Sequence, residues 1–311
     1  WRELYATAPP PLSLPTLSAR PVPRRAEGST LRHRLSDAVT ERVTAVATER
    51  SITRYAVTFA AFAALVMRLT GQRDIVIAMP VAGQVLEGQT ELFGHCVQTL
   101  PLRLTATDNA SFADLLATVR RMISGASAHA GATFGQILRE VPGPRDPSRL
   151  PLAEIVFNCA PDDGHPVMPG LTSTLDEPVK TTTQFDLHFD LEIGDDEWWI
   201  DCDYATALFD ADMIGAWLAD YEAVLAAALD DIDVSLDALP VTAAERDDPG
   251  ARFNPPALAL DPNADLVTAL GRAAAAAPTS IAIAHASGDW DYARLAQASD
   301  RIAAALAAQG V

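Results

Sequence analysis

The chain has 311 residues, 49% of them hydrophobic, so it is long enough to bury a sizeable core. It carries 23 Lys and Arg against 41 Asp and Glu, a net charge of −18, and this sign argues against a general nucleic-acid binder. Its three cysteines are an odd number, and too few for a disulfide framework in a chain of this length, which favours a reducing compartment. The sequence shows neither a leader nor an apolar stretch of membrane-spanning length, so we expect a cytoplasmic protein without membrane contact.

The first 30 residues predict an extended segment, because they hold six prolines and no helical period; the arm is also rich in arginine. A strand is predicted at Thr30–Leu35, followed by a helix with Ser36 as its N-cap. A second helix is predicted at Thr53–Leu69, ending at Gly71. It is apolar nearly all round, which predicts burial between layers.

Two strands are predicted next, separated by a polar loop. The first, Ile75–Met79, runs into a turn at Pro80 and Gly83, and the second ends in Thr99–Arg103. The remaining elements up to residue 238 are a helix at Ser111–Ala128, a loop at Val141–Arg149, strands at Pro151–Asn158, Gln184–Ile193 and Trp198–Tyr204, and a helix capped by Asp210. Cys159–Thr183 is long and non-periodic, and a loop of that kind inside a compact domain is usually functional.

A linker is predicted at residues 239–262, which hold five prolines and little periodicity. Beyond it we expect a helix at Ala264–Ala276, a short strand at Ser280–Ala284 and a helix at Asp291–Gln309. The predicted domains are therefore residues 1–30, 31–238, 239–262 and 263–311.

Five short motifs follow one another along the chain: DIVIAMPVAGQ at 74–84, TLPLR at 99–103, RDPSRLPL at 145–152, FDL at 185–187 and YATALFD at 204–210. In this order they resemble the motifs of nonribosomal peptide synthetase condensation domains. Gln98 stands where this family usually has Asn. The family's HHxxxDG motif has no counterpart, since no two histidines are adjacent. Residues 290–295 (WDYARL) and 306–311 (LAAQGV) resemble the opening of an adenylation domain.

The resemblance implies the carboxyl-terminal lobe of a condensation domain: an α/β, chloramphenicol-acetyltransferase-like fold with a mixed sheet and flanking helices, plus a short α/β adenylation fragment. Its implied partners are the amino-terminal lobe, peptidyl carrier domains and the rest of the adenylation domain. No cofactor is expected on this chain; 4'-phosphopantetheine belongs to the carriers, and ATP and magnesium to a full adenylation domain. Residues 159–183 would be the latch onto the other lobe.

The resemblance also implies site residues. Those expected to line the substrate tunnel are Pro80, Gly83, Gln98, Ser148, Asn158, Gln184, Asp186 and His188. Those expected to dock acidic carriers are Arg120, Arg121, Arg139, Arg145 and Arg149. The resemblance implies that Asp186 forms an ion pair with arginine and that no catalytic residue lies in these 311 positions.

Two other interpretations of local patterns are weaker. Asp186, His188 and Asp190 alternate on a predicted strand, where side chains two apart stand roughly 6.5–7 Å from each other, so a polar face is favoured over a metal site. His95 and Cys96 resemble a base and a nucleophile, but neighbours on a strand point to opposite faces, so a catalytic cysteine is not favoured.

Three functional hypotheses remain open. The first is the lobe of a peptide-bond-forming condensation domain cut from a multimodular synthetase of secondary metabolism, inactive in isolation. The second is a truncated remnant that serves an adenylation domain as a structural platform without chemistry. The third is an epimerisation or cyclisation relative of the same fold.

Overall fold

The computed structural model describes residues 1–83, 88, 91, 93–143, 145–161, 170, 180–195, 197–242 and 265–310. The chain divides into two compact units, Trp1–Asp248 and Pro249–Val311. Each unit is described by itself.

The first unit is built on a six-stranded mixed sheet with the order β1-β6-β5-β4-β2-β3. Its strands are β1 (Gly28–Arg34), β2 (Asp74–Ala82), β3 (Val97–Thr105), β4 (Ile155–Pro161), β5 (Leu187–Ile193) and β6 (Trp198–Ala205). The central strands β2, β4 and β5 are parallel, whereas the pairs β2–β3, β5–β6 and β1–β6 are antiparallel. This is the predicted mixed sheet, and the two strands predicted at 184–193 and 198–204 form its antiparallel pair β5–β6.

Helices cover one face of the sheet. They are α1 (Asp37–Glu49), α2 (Arg54–Thr70), α3 (Phe112–Ala128) and α5 (Ala211–Asp230), while the shorter α4 is Phe134–Glu140. Helix α2 is buried almost all round, as predicted, and Phe62 lies 5.2 Å from Phe157 and 4.6 Å from Phe189 between ring centroids. The main core therefore sits between this helical layer and alternate strand residues.

The helix ends follow local sequence signals. Thr53 accepts a hydrogen bond from the Ala56 backbone N–H, and Gly71 closes α2 in the left-handed region at φ +67°. Asp210 caps α5 by accepting from the Met213 N–H. Ser36 occupies the N-cap position of α1, as predicted, but its side chain accepts no cap hydrogen bond.

The strand boundaries differ from the prediction most at β2, β4 and β5. Strand β2 continues through Pro80 to Ala82, because beyond Ala78 it pairs only with β3 and a missing N–H is tolerated there. Strand β4 begins at Ile155 instead of Pro151, after a turn that places Leu152 at φ +73°. Strand β5 begins only at Leu187.

Over its described residues, 265–310, the second unit has two helices and a small hairpin: α6 (Leu266–Ala276), β7 (Ile281–Ile283), β8 (Trp290–Asp291) and α7 (Tyr292–Ala307). The predicted helices and short strand are thus confirmed. No residue of α6 or α7 is buried within this unit, and Leu266 and Val267 are 89% and 78% exposed. Most of the predicted linker lies outside the described residues, but its first part is packed: Leu239 and Val241 are buried.

None of the described helices is, taken singly, long and apolar enough to cross a membrane. Helices α1 and α2 together reach the length and apolar composition of a membrane span, but the chain bends by 117° between them.

Candidate functional site

The sheet face away from the main core carries a row of polar side chains on its central strands. In β5, Leu187, Phe189 and Leu191 enter the core, so the alternation of the strand places His188 and Asp190 on the other face. The register sets Asp190 beside Asn158 of β4, and His188 beside Asp203 of β6. The sequence prediction of a polar face on this strand is confirmed.

Hydrogen bonds link this row across the strands. Asn158 Nδ2 donates to Asp190 Oδ1 at 2.9 Å. Lys180 Nζ donates to both carboxylate oxygens of Asp203, at 3.0 and 3.2 Å, and the Thr30 hydroxyl donates to the same carboxylate at 2.6 Å. Lys180 was not singled out from the sequence because it lies in the non-periodic segment 159–183, the predicted latch, most of which lies outside the described residues.

His188 is the titratable group at the centre of the row. Its Nδ1 lies 3.8 Å from Asp203 Oδ2, which is too long for a hydrogen bond. Burial lowers the pKa of His188 and the Lys180 charge adds to this, against the opposing pull of Asp190 and Asp203. The imidazole is therefore neutral at pH 7. Its Nε2 is buried and, among the described residues, has no hydrogen-bond partner.

A buried cluster of ions lies immediately before β5. Asp186 is fully buried and forms ion pairs with Arg20 and, at 3.3 Å, with Arg24. Glu154, only 6% exposed, accepts from Arg149 at 2.8 Å and lies 3.2 Å from Arg20. The expected pairing of Asp186 with arginine is confirmed. We call these five residues the ion cluster; it fastens the amino-terminal segment to the sheet.

Asp186 belongs to the ion cluster and therefore does not act as a metal ligand together with His188 and Asp190, the other two residues of the Asp-x-His-x-Asp pattern. Its carboxylate is held by two guanidinium groups, so it does not converge with His188 and Asp190. In the part of the chain that the structure describes, no three His, Cys, Asp or Glu side chains come together as metal ligands. Glu154 was missed by sequence reasoning because it lies within the predicted strand Pro151–Asn158, where no pattern marked it as an ion-pair partner; the arginine-rich arm was the only hint.

Gly83 and Gln98 lie at the other edge of the sheet. The Gly83 N–H donates to the Cys96 carbonyl at 3.0 Å, and a Cβ at Gly83 would stand 2.1 Å from that oxygen, so this close approach requires glycine. Gln98 pairs with Val81 across β2–β3, and its Oε1 is buried without a partner among the described residues. Pro80 is half-buried in the same strand end.

The other predicted tunnel residues do not join one surface. Ser148 is buried in a local turn, where its hydroxyl and N–H both donate to Asp146. Gln184 is exposed and precedes β5. A second, smaller apolar cluster includes Val76 and Val156, and Phe185 packs against it; the Phe185 ring lies 6.3 Å from the His188 ring between centroids. Phe185 precedes β5, so the alternation of the strand does not extend to it.

The predicted docking arginines fall into two groups. Arg120, Arg121, Arg139 and Arg145 are exposed. Arg149 is half-buried and engaged by Glu154, so its guanidinium is not presented to a partner in the way the other four are. His95 and Cys96 lie just before β3, not on a strand, so the argument from opposite strand faces does not apply to them.

Comparison with known proteins gives one family. The model of the Condensation domain family matches residues 1–248. The chain is 32% identical over 228 residues to malpibaldin synthetase of Mortierella alpina, covering 73% of this chain and 4% of that protein. It is 30% identical over 320 residues to phosphinothricin tripeptide synthetase PhsB of Streptomyces viridochromogenes, covering 100% and 27%. The chain thus spans about a quarter or less of these relatives.

Solved structures share the fold. The X-domain in complex with OxyB from teicoplanin biosynthesis superposes on this chain with a TM-score of 0.70 at 22% identity, over 78% of this chain and 54% of that one. The first condensation domain of the calcium-dependent antibiotic synthetase, bound to a substrate analogue, gives 0.65 at 23% identity, over 78% and 52%. The four-domain synthetase AB3403, bound to AMP and glycine, gives 0.70 at 21% identity, over 100% and 25%.

Proposed function

Because the chain belongs to the condensation-domain family, we propose that residues 1–238 are the carboxyl-terminal lobe of a domain that forms peptide bonds between carrier-bound thioesters. The observation that carries this proposal is the polar face of the sheet centred on His188 and Asp190. Hydrogen-bonding groups of this face, among them Asn158, Asp190 and Lys180, lie beside the buried ion cluster, in a chain whose 311 residues hold no HHxxxDG motif.

The reaction joins an acceptor amine to a donor thioester carbonyl, with loss of the thiolate and of one proton from the amine. In the proposed complex, this lobe contributes positioning: it holds two tethered reactants at attack distance, which replaces a bimolecular encounter by a local one. The polar face forms one wall, Gly83 and Gln98 lie at its floor, and residues 159–183 form the latch. The proton-handling residues belong to the HHxxxDG lobe.

The partners in this proposal are that lobe, acidic carrier domains and an adenylation domain. The 4'-phosphopantetheine arrives on the carriers, and this chain holds no cofactor of its own. Residues 263–311 would be the start of the adenylation domain. Two observations support this: the likenesses to PhsB and AB3403 extend over the whole chain, and α6 and α7 leave apolar residues such as Leu266 and Ile302 exposed within their unit.

A chimaera tests the proposal. Residues 1–248, the whole first compact unit, replace the corresponding lobe of a PhsB condensation domain, and dipeptidyl-carrier formation is measured from loaded donor and acceptor carriers. We expect product from the chimaera, no product when the second histidine of its HHxxxDG motif is changed to Ala, and none from residues 1–311 alone. Product from residues 1–311 alone, or a folded chimaera without activity, would contradict the proposal.

A second candidate is a docking platform without chemistry. It is favoured by one observation, that the X-domain with a TM-score of 0.70 is found in a complex with OxyB. Under this candidate the folded chimaera would be inactive, while residues 1–248 would still bind a partner domain of their own synthetase.

A further inference from the structure

An open pocket lies at the carboxyl ends of β4 and β5, on the side of the sheet that carries the helices. Cys159, at the end of β4, lines this pocket and packs against the main core, so the pocket does not belong to the polar face of His188 and Asp190. It encloses about 630 Å³, which is in the size range of small-molecule sites. Most of its lining is apolar and includes Ala47, Ile52 and Ile193.

One cation stands at this apolar pocket. Among the described residues that line it, Arg54 alone carries a charge. The Arg54 guanidinium lies over the Trp198 ring, 5.5 Å from the ring centroid, and its side chain forms no ion pair or hydrogen bond with a described residue. Stacking on the ring leaves the five N–H donors of the guanidinium for another acceptor. In a chain with 41 acidic residues, such an arginine points to an anionic group of a ligand.

The positive charge of Arg54 reaches the inside of the pocket. Burial raises the pKa of the Cys159 thiol to about 12, and the Arg54 charge opposes this rise. The thiol is therefore protonated at neutral pH and supplies no negative charge that would compensate Arg54. A ligand anion would meet an uncompensated cation there.

An acidic groove continues from the pocket and limits the charge of the ligand. The groove and the pocket share Thr44, Thr48 and Arg54. The groove is also lined by four carboxylates, those of Asp37, Glu41, Glu49 and Asp195. Four carboxylates near one guanidinium repel a ligand that carries more than one negative charge. The ligand that fits both features is apolar and carries a single anionic group.

We propose that this pocket binds a monocarboxylate with a short apolar chain, in which Arg54 pairs with the carboxylate and the lining at Ala47, Ile52 and Ile193 takes the chain. A carboxylate matches the planar guanidinium because the two groups form parallel N–H···O bonds. Two sources carry this chemistry: a free short-chain fatty acid and the carboxyl end of an N-acylated apolar amino acid. The site lies apart from the polar face, and the inference does not depend on the proposed function.

Methyl NMR both locates and measures the binding. Residues 1–311 are isotope-labelled at the isoleucine δ1 methyl groups. Ile52 and Ile193 report on the pocket, whereas Ile137, buried in the second apolar cluster, reports on distant effects and on folding of each variant. The probes are hexanoate and N-acetylleucine. The chemical controls are hexan-1-ol, which has no charge, hexylammonium, which has the opposite charge, and adipate, which has two carboxylates.

We expect at least one probe to shift the Ile52 and Ile193 signals and to leave Ile137 unchanged, with half-saturation on the order of 1 mM for so small a ligand. The three control compounds should bind more weakly than that probe. Arg54→Met keeps the length of the side chain without its charge and should weaken carboxylate binding roughly tenfold or more, the value of a charge-assisted hydrogen bond. Binding of hexan-1-ol should stay the same. Arg50→Met, at an exposed arginine outside the pocket, is the matched control.

A second pair of variants tests the pocket by volume. Thr48→Trp places a large side chain at the lining and should abolish the shifts of Ile52 and Ile193 with the carboxylate and with hexan-1-ol. Ala38→Trp, at an exposed position of the same helix that does not line the pocket, should leave both unchanged.

The stronger of the two probes assigns the source: hexanoate indicates a free fatty acid, and N-acetylleucine indicates an acylated amino acid. The site is overturned if neither probe shifts Ile52 and Ile193 at tenfold the expected half-saturation, if hexan-1-ol binds as well as hexanoate, or if Arg54→Met binds the carboxylate as the unsubstituted chain does. Equal weakening by Arg50→Met and Arg54→Met would also overturn it. The chimaera is assayed without these ligands, so its result and this one are independent.

Discussion

Asp186 is completely buried, yet its charge is balanced by two guanidinium groups that are only 12% and 17% exposed. Removing one partner of such an arrangement leaves the other charges buried without compensation, which costs much more than the ion pairs contribute relative to apolar groups. The residues of the ion cluster therefore stabilise the attachment of the amino-terminal segment only together, and loss of one of them weakens the whole attachment.

We expect Asp186→Ala to lower the free energy of unfolding by about 3–5 kcal/mol, since Arg20 and Arg24 lose their shared carboxylate. Urea unfolding followed by tryptophan fluorescence measures this change. Asp108→Ala, at an exposed acid, is the control and should shift stability by less than about 0.5 kcal/mol. Equal effects of the two substitutions would show that the ion cluster is not structural.

His188 gives the polar face a pH dependence. Its pKa is lowered in the folded state, so between the unfolded value near 6.5 and the lower folded value the unfolded chain binds more protons. The stability contributed by the neutral imidazole is therefore present above about pH 6.5 and is lost as the pH falls below it.

Accordingly, when the pH is lowered from 7.5 to about 5.5, the melting temperature of the His188→Gln variant should fall less than that of the unsubstituted chain. Thermal unfolding by circular dichroism at both pH values makes the comparison. His129→Gln, at an exposed histidine, should follow the unsubstituted chain. If His188→Gln also follows the unsubstituted chain, the imidazole is not destabilised by burial.

At the scale of elements, the sequence predicted most helices and strands of the fold because their signals are local. Thr53, Gly71 and Asp210 act at the ends that they predicted. The predictions that were wrong concern features that depend on contacts between segments distant in the sequence. The alternation through residues 184–191 could not show that β5 begins only at Leu187, because the backbone of Asp186 bonds instead to Glu154 and Ala205.

The same limit applies to the candidate site. The sequence placed His188 on a polar face and paired Asp186 with an arginine, but it could not name Arg20, Glu154 or Lys180 as neighbours. Those contacts join segments more than a hundred residues apart or follow segments without periodicity. No pattern within one segment encodes them.

Two N-cap residues that look alike in sequence should differ in effect. Asp210→Ala removes the bond to the Met213 N–H and should cost about 0.5–2 kcal/mol, whereas Ser36→Ala removes no cap bond and should cost less. Urea unfolding of the two variants gives both values. A larger loss in Ser36→Ala would show that its hydroxyl caps α1 after all.

At the scale of the whole molecule, the structure narrows the residue bounds of the linker predicted at 239–262. Leu239 and Val241 are buried and Thr242 bonds to Asp220, so the first compact unit holds the chain up to this point. We therefore expect limited proteolysis to cut first between residues 243 and 262, leaving an intact fragment that ends beyond Thr242. Mass spectrometry of the early fragments locates the cut; a first cut within residues 53–103 would refute this organisation.

The surface arginines should govern association with acidic carriers. The double substitution Arg120→Glu and Arg121→Glu reverses two exposed charges on α3, and we expect slower association, more so at low salt. Stopped-flow mixing with a fluorescent carrier at two ionic strengths measures the rates. The same double change at Arg50 and Arg25, also exposed, is the control; equal slowing by both pairs would indicate net charge instead of a docking place. Arg149 is left intact because it belongs to the ion cluster.

The pairing of β1 with β6 has a consequence for biosynthesis. Gly28 pairs with Ala205, so the edge strand β1 is synthesised 177 positions before its partner in β6. At bacterial-to-eukaryotic elongation speeds this interval lasts roughly 10 to 35 seconds, during which the nascent β1 has no native strand to bond. Completion of the sheet therefore waits for the synthesis of β6, and until then the edge of β1 is open to pairing with other chains.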